Sequence, residues 1–294
     1  MSSLRRTPCL ITLVALAALP VFTARAQQAG WTMTLRTDTD SGLGAANRTS
    51  TVMRYQTIGD RYRMEFIQAT GALGAAEGSY HIFNSADSTM TMVMPAQHMA
   101  TVTPMTGLAS KMSGALPTAG AVNITRRDVT DLGAGPKIAG YATRHFRVAL
   151  TGTMDWSTPS RACVRSLDSD TEVWIAPDVD VGAAAGAMAG LLSGAELGGA
   201  SSTGAQLPKG AALRRIERVQ RADASGVKHS IATTLEVVEL AHGPIPASAF
   251  TPPTDYKVMD MGKIMASIPK EMMDSAMAAA PENLMNAVCG SGSR

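Results

Sequence analysis

The chain is poor in aromatic side chains: three Trp, five Tyr and five Phe in 294 residues. A core built from it must be filled mainly by aliphatic and sulfur-containing groups, and the 19 methionines supply flexible, polarisable filling. Three cysteines, Cys9, Cys163 and Cys289, form no CxxC pair and no zinc-ligand spacing. Neither sign of charge is in large excess, which argues against nucleic-acid binding, because phosphate neutralisation needs clustered Lys and Arg. The one long apolar run, Leu10 to Phe22, is too short to cross a bilayer, which takes about 20 residues.

That run has another meaning. Arg5 and Arg6 precede it and Ala24-Arg25-Ala26 follows it. A basic start, a short apolar stretch and a small-x-small site together read as an export signal of the Sec type, cleaved near Ala26. The mature protein is then expected to be periplasmic or secreted, with at most a peripheral contact with the membrane. Cleavage removes Arg5, Arg6 and Arg25 and no acid, leaving 23 basic against 24 acidic residues. In an oxidising compartment Cys163 and Cys289 are a candidate disulfide. It would close a loop of about 125 residues and stabilise by up to about 5 kcal/mol. The alternative is two free thiols.

Residues 27–258 read as a β domain. Trp31, Met33 and Leu35 alternate with Thr32, Thr34 and Arg36. Tyr62, Met64 and Phe66 alternate with Arg61, Arg63 and Glu65, and Met90, Met92 and Met94 with Thr89, Thr91 and Val93. Phe146, Val148 and Leu150 alternate with His145, Arg147 and Ala149. A period of two gives each strand one apolar and one polar face, the signature of half-buried antiparallel sheets. Further strands are expected around 49–57, 98–103, 122–131, 161–175, 212–222 and 228–240. Turns are expected at Gly59-Asp60 and between Asn84 and Ser88. The stretch from Pro104 to Thr118 is a short helix, a lid-like loop or a plain surface connection.

Two segments depart from this pattern. Near 179–210 lies a Gly-rich insertion in which Gly182, Gly186, Gly190, Gly194 and Gly198 recur every four residues. A helix packed on the concave face of the sheet is the leading reading, with a low-complexity insertion and a membrane-inserting segment as alternatives. Residues 259–294 form a Met-rich helical tail, with Ser267 placed to cap a helix and Met272, Met273, Ala276 and Met277 at helical spacing. The tail either covers a sheet edge or acts as a movable plug over an apolar groove.

Catalytic signatures are missing. His81, His98, His145, His229 and His242 show no metal-ligand spacing, and there is no GxSxG elbow, Walker loop or strand-linked GxGxxG. Asp168, Asp170 and Glu172 alternate on one strand but lack the rest of a calcium loop. No cofactor or metal is implied, and the chain reads as non-enzymatic. A dispersed site, with a His and a carboxylate converging near His145 or His229, stays open.

Several segments resemble a family of exported bacterial domains of unknown function, the DUF4412 type, related to the LolA/LolB-like lipoprotein-carrier fold. They are Gly59-Asp60-Arg61-Tyr62-Arg63-Met64-Glu65, Tyr80-His81-Ile82-Phe83-Asn84, Met90 to Pro95, Ile138 to Phe146, Glu172-Val173-Trp174-Ile175-Ala176 and Ile245 to Phe250 with Pro252, Pro253 and Tyr256. The resemblance implies a β-rich α+β fold, a curved antiparallel sheet or incomplete barrel with helices over its concave face. It also implies acyl chains or a lipoprotein as partners, and carries over no catalytic residue. Trp31, Met33, Met64, Phe66, Met90, Met92 and Met94 are the candidate ligand-binding residues, on the inward strand faces. They line a groove or, equally, fill a core.

Overall fold

The computed structural model describes residues 28–40, 48–70, 74, 76–105, 118–158, 161–181, 207, 209–222 and 228–268. They contain twelve strands in one sheet: β1 Gln28–Asp40, β2 Arg48–Ile58, β3 Arg61–Ala69, β4 Tyr80–Asn84, β5 Thr89–Met94, β6 Met99–Pro104, β7 Thr118–Ala134, β8 Arg144–Thr158, β9 Arg161–Ala176, β10 Ala211–Ala222, β11 Lys228–Ile245 and β12 Lys257–Asp260. A single short helix, α1 Met261–Ser267, follows.

The sheet order is β12-β6-β5-β4-β3-β2-β1-β11-β10-β9-β8-β7. The chain therefore makes two antiparallel meanders. One runs outward from β1 to β6, and the other runs inward from the far edge, β7 to β11, where β11 pairs with β1. Only β12 is parallel to its neighbour β6. Every strand expected from the alternation is present, and β12 is an addition that four residues of sequence were too few to reveal.

The sheet is open and curved. Laid flat, β6 and β7 would be ten spacings apart, about 48 Å. Residues 105–117 connect them, and a chain of that length stretches to only about 45 Å. Bulges on the β1–β11, β2–β3, β9–β10 and β7–β8 ladders supply local bends.

Turn chemistry fixes the registers. Gly59 has φ +56° in the two-residue link that sets Ile58 opposite Arg61, a conformation Gly adopts without a side-chain clash. Between β4 and β5 the Asp87 carboxylate accepts from the Thr89 amide at 3.1 Å, while the Asn84 amide donates to Asp87 at 2.7 Å. Short polar side chains there replace backbone hydrogen bonds that the ladder no longer supplies.

The helix differs from its sequence reading. Ser267 was expected to open a helix, but it closes α1, its hydroxyl donating to the Ile264 carbonyl at 2.7 Å. The opening is made by Asp260, whose carboxylate accepts from the Lys263 amide at 3.1 Å, an N-cap contact. Helices over the concave face were expected from the 179–210 insertion and from the tail beyond Ser267. Both fall largely outside the described residues. None of the described helices is long and apolar enough to cross a membrane.

Three apolar clusters hold the sheet. The largest joins Met33, Leu35, Tyr55, Val237 and Leu240 in the centre to Leu213, Trp174, Ala176 and Ile138. A second places Tyr80, Ile82, Val93 and Ala100 under Ile245, Ala249 and Phe250. Arg63 fastens this cover: its guanidinium lies 3.7 Å over the Tyr80 ring and donates to the Ala249 carbonyl at 3.4 Å. The third is Phe146, Val173 and Ile175.

Candidate functional site: a methionine and aromatic face

Residues directly opposed across a ladder share a face of the sheet. Following the pairs from β11 to β6 builds two long rows. One is His242, Trp31, Thr57, Tyr62, Phe83, Met90 and Thr103. The next is Leu240, Met33, Tyr55, Met64, His81, Met92 and Thr101. Leu35, Met53 and Phe66 begin a third, and Met94 pairs with Met99 beyond the second. All seven candidate residues, Trp31, Met33, Met64, Phe66, Met90, Met92 and Met94, therefore lie on one face.

They are not buried alike. Met33 is 5% exposed and Tyr55 beside it 2%, so the β1–β2 part of this face is core. Met64, Phe66, Met90, Met92 and Met94 are half-buried. On β5 the tighter packing is on the opposite side, where Val93 is fully buried in the cluster under Phe250. The β3–β6 region is thus apolar on both faces, one sealed by residues 245–250 and the other made of methionines and rings.

The rings are ordered. Tyr62 and Phe83 stack with centroids 4.2 Å apart, and Trp31 meets His242 edge-on at 4.9 Å. Burial pushes the Tyr55 phenol up to about 12, with the neighbouring Tyr62 adding a smaller rise. Its hydroxyl stays neutral and points at the Met53 sulfur, 3.6 Å away.

His81 is the polar member of this face. It sits between Met64 and Met92 in register, with Phe66 and Phe83 on either side. Its Nδ1 is buried and makes no hydrogen bond among the described residues. Burial lowers its pKa from the ordinary histidine value, because the protonated ring loses hydration there.

Sequence reasoning found the methionines but missed Met53, Tyr55, His81 and Phe83. The alternation of Met53, Tyr55 and Thr57 was available in β2. In β4 the run Tyr80-His81-Ile82-Phe83 is apolar on both sides, so period alone cannot sort it.

The other histidine of interest is in β8. His145 Nε2 lies 3.0 Å from Glu172 Oε2, and its ring stacks on Trp174 at 4.2 Å. The other Glu172 oxygen accepts from Arg218 at 3.0 Å, while Arg147 holds Asp170 through two bonds of 2.8 and 2.6 Å. Asp170 and Asp131 are held below the usual carboxylate range, first by hydrogen bonds from Arg147 and Arg144 respectively. A His and a carboxylate do converge at His145, yet no hydroxyl or thiol joins them in a hydrogen bond among the described residues. The acids read as a candidate cation site are engaged by arginines, and no metal-binding group of three occurs among the described residues. The His229 side chain lies outside them.

Cys163, paired with Trp156 near the start of β9, is disulfide-bonded, and its partner lies outside the described residues.

Comparison with known proteins adds a family and two structures. A LolA superfamily protein, NE2245 from Nitrosomonas europaea, is similar at 10% identity and TM-score 0.28, covering 76% of this chain and 90% of that one. PNGF-II is similar at 11% identity and TM-score 0.30, covering 79% of this chain, which spans 31% of that protein's length. Neither likeness bears on a ligand. No curated protein matches. The model of a domain of unknown function, DUF4412, matches residues 44–256, most of the length over which the sheet is built, and the chain belongs to that family.

Proposed function

We propose that this is an exported, non-enzymatic protein that shelters an apolar ligand against the methionine and aromatic face of β3–β6. The ligand is an acyl chain or the lipidated end of a partner protein. The observation that carries the reading is the register, which gathers Met64, Phe66, Met90, Met92 and Met94 on one face and leaves them half-buried. Affinity would come from burying hydrocarbon, about 25 cal/mol per Å². Unbranched methionines can adapt to chains of differing shape. Met33 and Tyr55 serve as the packed floor at the inner end of the face.

Organic extracts of the purified protein should contain a co-purifying lipid by mass spectrometry, and unlabelled fatty acid should displace a dansyl-labelled one. Met92→Lys should weaken binding at least about tenfold, or about 1.4 kcal/mol. Absence of both lipid and displacement refutes the proposal. N-terminal sequencing of the exported product should begin near Gln27.

The packing of Met33 and Tyr55 favours a second reading, an envelope interaction module whose core is filled throughout. It predicts no lipid and a stable protein complex in pull-downs.

A further inference from the structure

We propose that the C-terminal tail, residues 269–294, is a strap closed over the mouth of the methionine face by a disulfide between Cys163 and Cys289. Three observations place it. Cys163 is disulfide-bonded, and the chain offers only Cys9 and Cys289 as partners. Cys9 precedes the apolar run of the export signal, and cleavage removes it. Cys289 is the partner that a mature, monomeric chain retains.

The second observation is where the described chain ends. β12 adds to the β6 edge and α1 packs beside β6, so the tail departs at one edge of the sheet. Cys163 is on β9, two strands from the opposite edge. A bond between Cys163 and Cys289 obliges the intervening segment to cross between the two ends of the open sheet. Twenty-one residues reach about 32 Å as a helix and more if extended.

The third observation decides the side. At β4–β6 one face is already covered by Ile245, Ala249 and Phe250. The face left for the departing tail is that of Met90, Met92 and Met94. The tail suits it: Met272, Met273, Met277, Leu284 and Met285 are themselves apolar and adaptable.

The strap is set by thiol–disulfide exchange. The two thiols give up two protons and two electrons to an external protein disulfide, which becomes a dithiol, and a dithiol reductant reverses the step. Closed, the strap competes with ligand; open, it exposes the methionines. Its competition with ligand rests on the function proposed above, whereas the covering of the methionines does not.

Non-reducing peptide mapping of the exported protein should yield a Cys163–Cys289 linked peptide. Free thiols at both positions, or Cys163 joined to Cys9 or to a second chain, overturn the proposal. Methionine oxidation by dilute peroxide, followed residue by residue, tests the covering. Mild reduction of the wild type, and separately Cys289→Ser, should speed oxidation of Met90, Met92 and Met94 at least about threefold while the core residue Met33 is unchanged. Equal rates in bonded and opened protein refute the strap even if the bond exists. Dansyl-fatty-acid binding on both forms separates the two ideas: faster oxidation with no binding in either form keeps the strap and sinks the ligand reading, whereas binding of equal strength in both forms sinks the strap.

Discussion

The two ends of this sheet solve the same problem in opposite ways. From β3 to β6 both faces are apolar, one sealed by residues 245–250 and the other made of Met64, Phe66, Phe83, Met90 and Met92. From β7 to β10 one face carries charges that satisfy one another: Arg144 with Asp131, Arg147 with Asp170, and Glu172 bridging His145 and Arg218. The charged end has nothing left over to offer a ligand. The apolar end has surface to cover and one polar atom, His81 Nδ1, without a hydrogen bond among the described residues. The difference teaches that in an all-strand chain the place to look for binding is where burial is incomplete, not where chemistry is densest.

The comparison can be pressed from its strongest consequence down. Val93 is fully buried under Phe250, and Val93→Asp should cost more than about 4 kcal/mol, because a carboxylate would be desolvated without a partner. Urea unfolding measures this, and a near-neutral result would show that the cover of residues 245–250 is loose. At the charged end, Glu172→Ala should cost only about 1 kcal/mol, since both of its partners are near solvent. A loss as large as that of Val93→Asp would erase the contrast.

Acid should separate the two ends as well. The folded-state pKa of His81 lies below 6.5, so the unfolded chain binds the proton first. Stability is then complete above about pH 6.5 and declines as the pH falls toward the folded value. Thermal scans between pH 7 and pH 5 should show this decline, and His81→Phe should flatten it. Asp131 and Asp170 have folded pKa values below 3.8, so their contribution is present above that value and is lost as the pH falls through the lowered ones. Arg147→Ala should therefore leave the pH 5–7 scan unchanged and alter only the acid limb, the smallest effect of the series. A change in the neutral range would mean that the charged ladder does more than solvate a face.

Much of this was legible in the residues. The alternation around Met33, Met64, Met92 and Val148 marked half-buried antiparallel strands, and Gly59-Asp60 marked a hairpin. The same methionines were named as one binding face before their register was known. What escaped were elements too short or too ambiguous for periodicity: β12, with four residues, α1, with seven, and β4, which is apolar on both sides. The α1 start was encoded in Asp260 but was hidden by a stronger-looking cap at Ser267.

By itself the sequence determined that the chain is strand-forming, with one apolar side per strand, because side chains alternate with a period of two whatever lies next to them. Only tertiary structure decided which strands became neighbours. Strand order joins β1 to β11 and β12 to β6 across long stretches of sequence. That pairing depends on which edges and covers are free when the sheet rolls up, and it alone makes a continuous face from methionines scattered between residues 33 and 94.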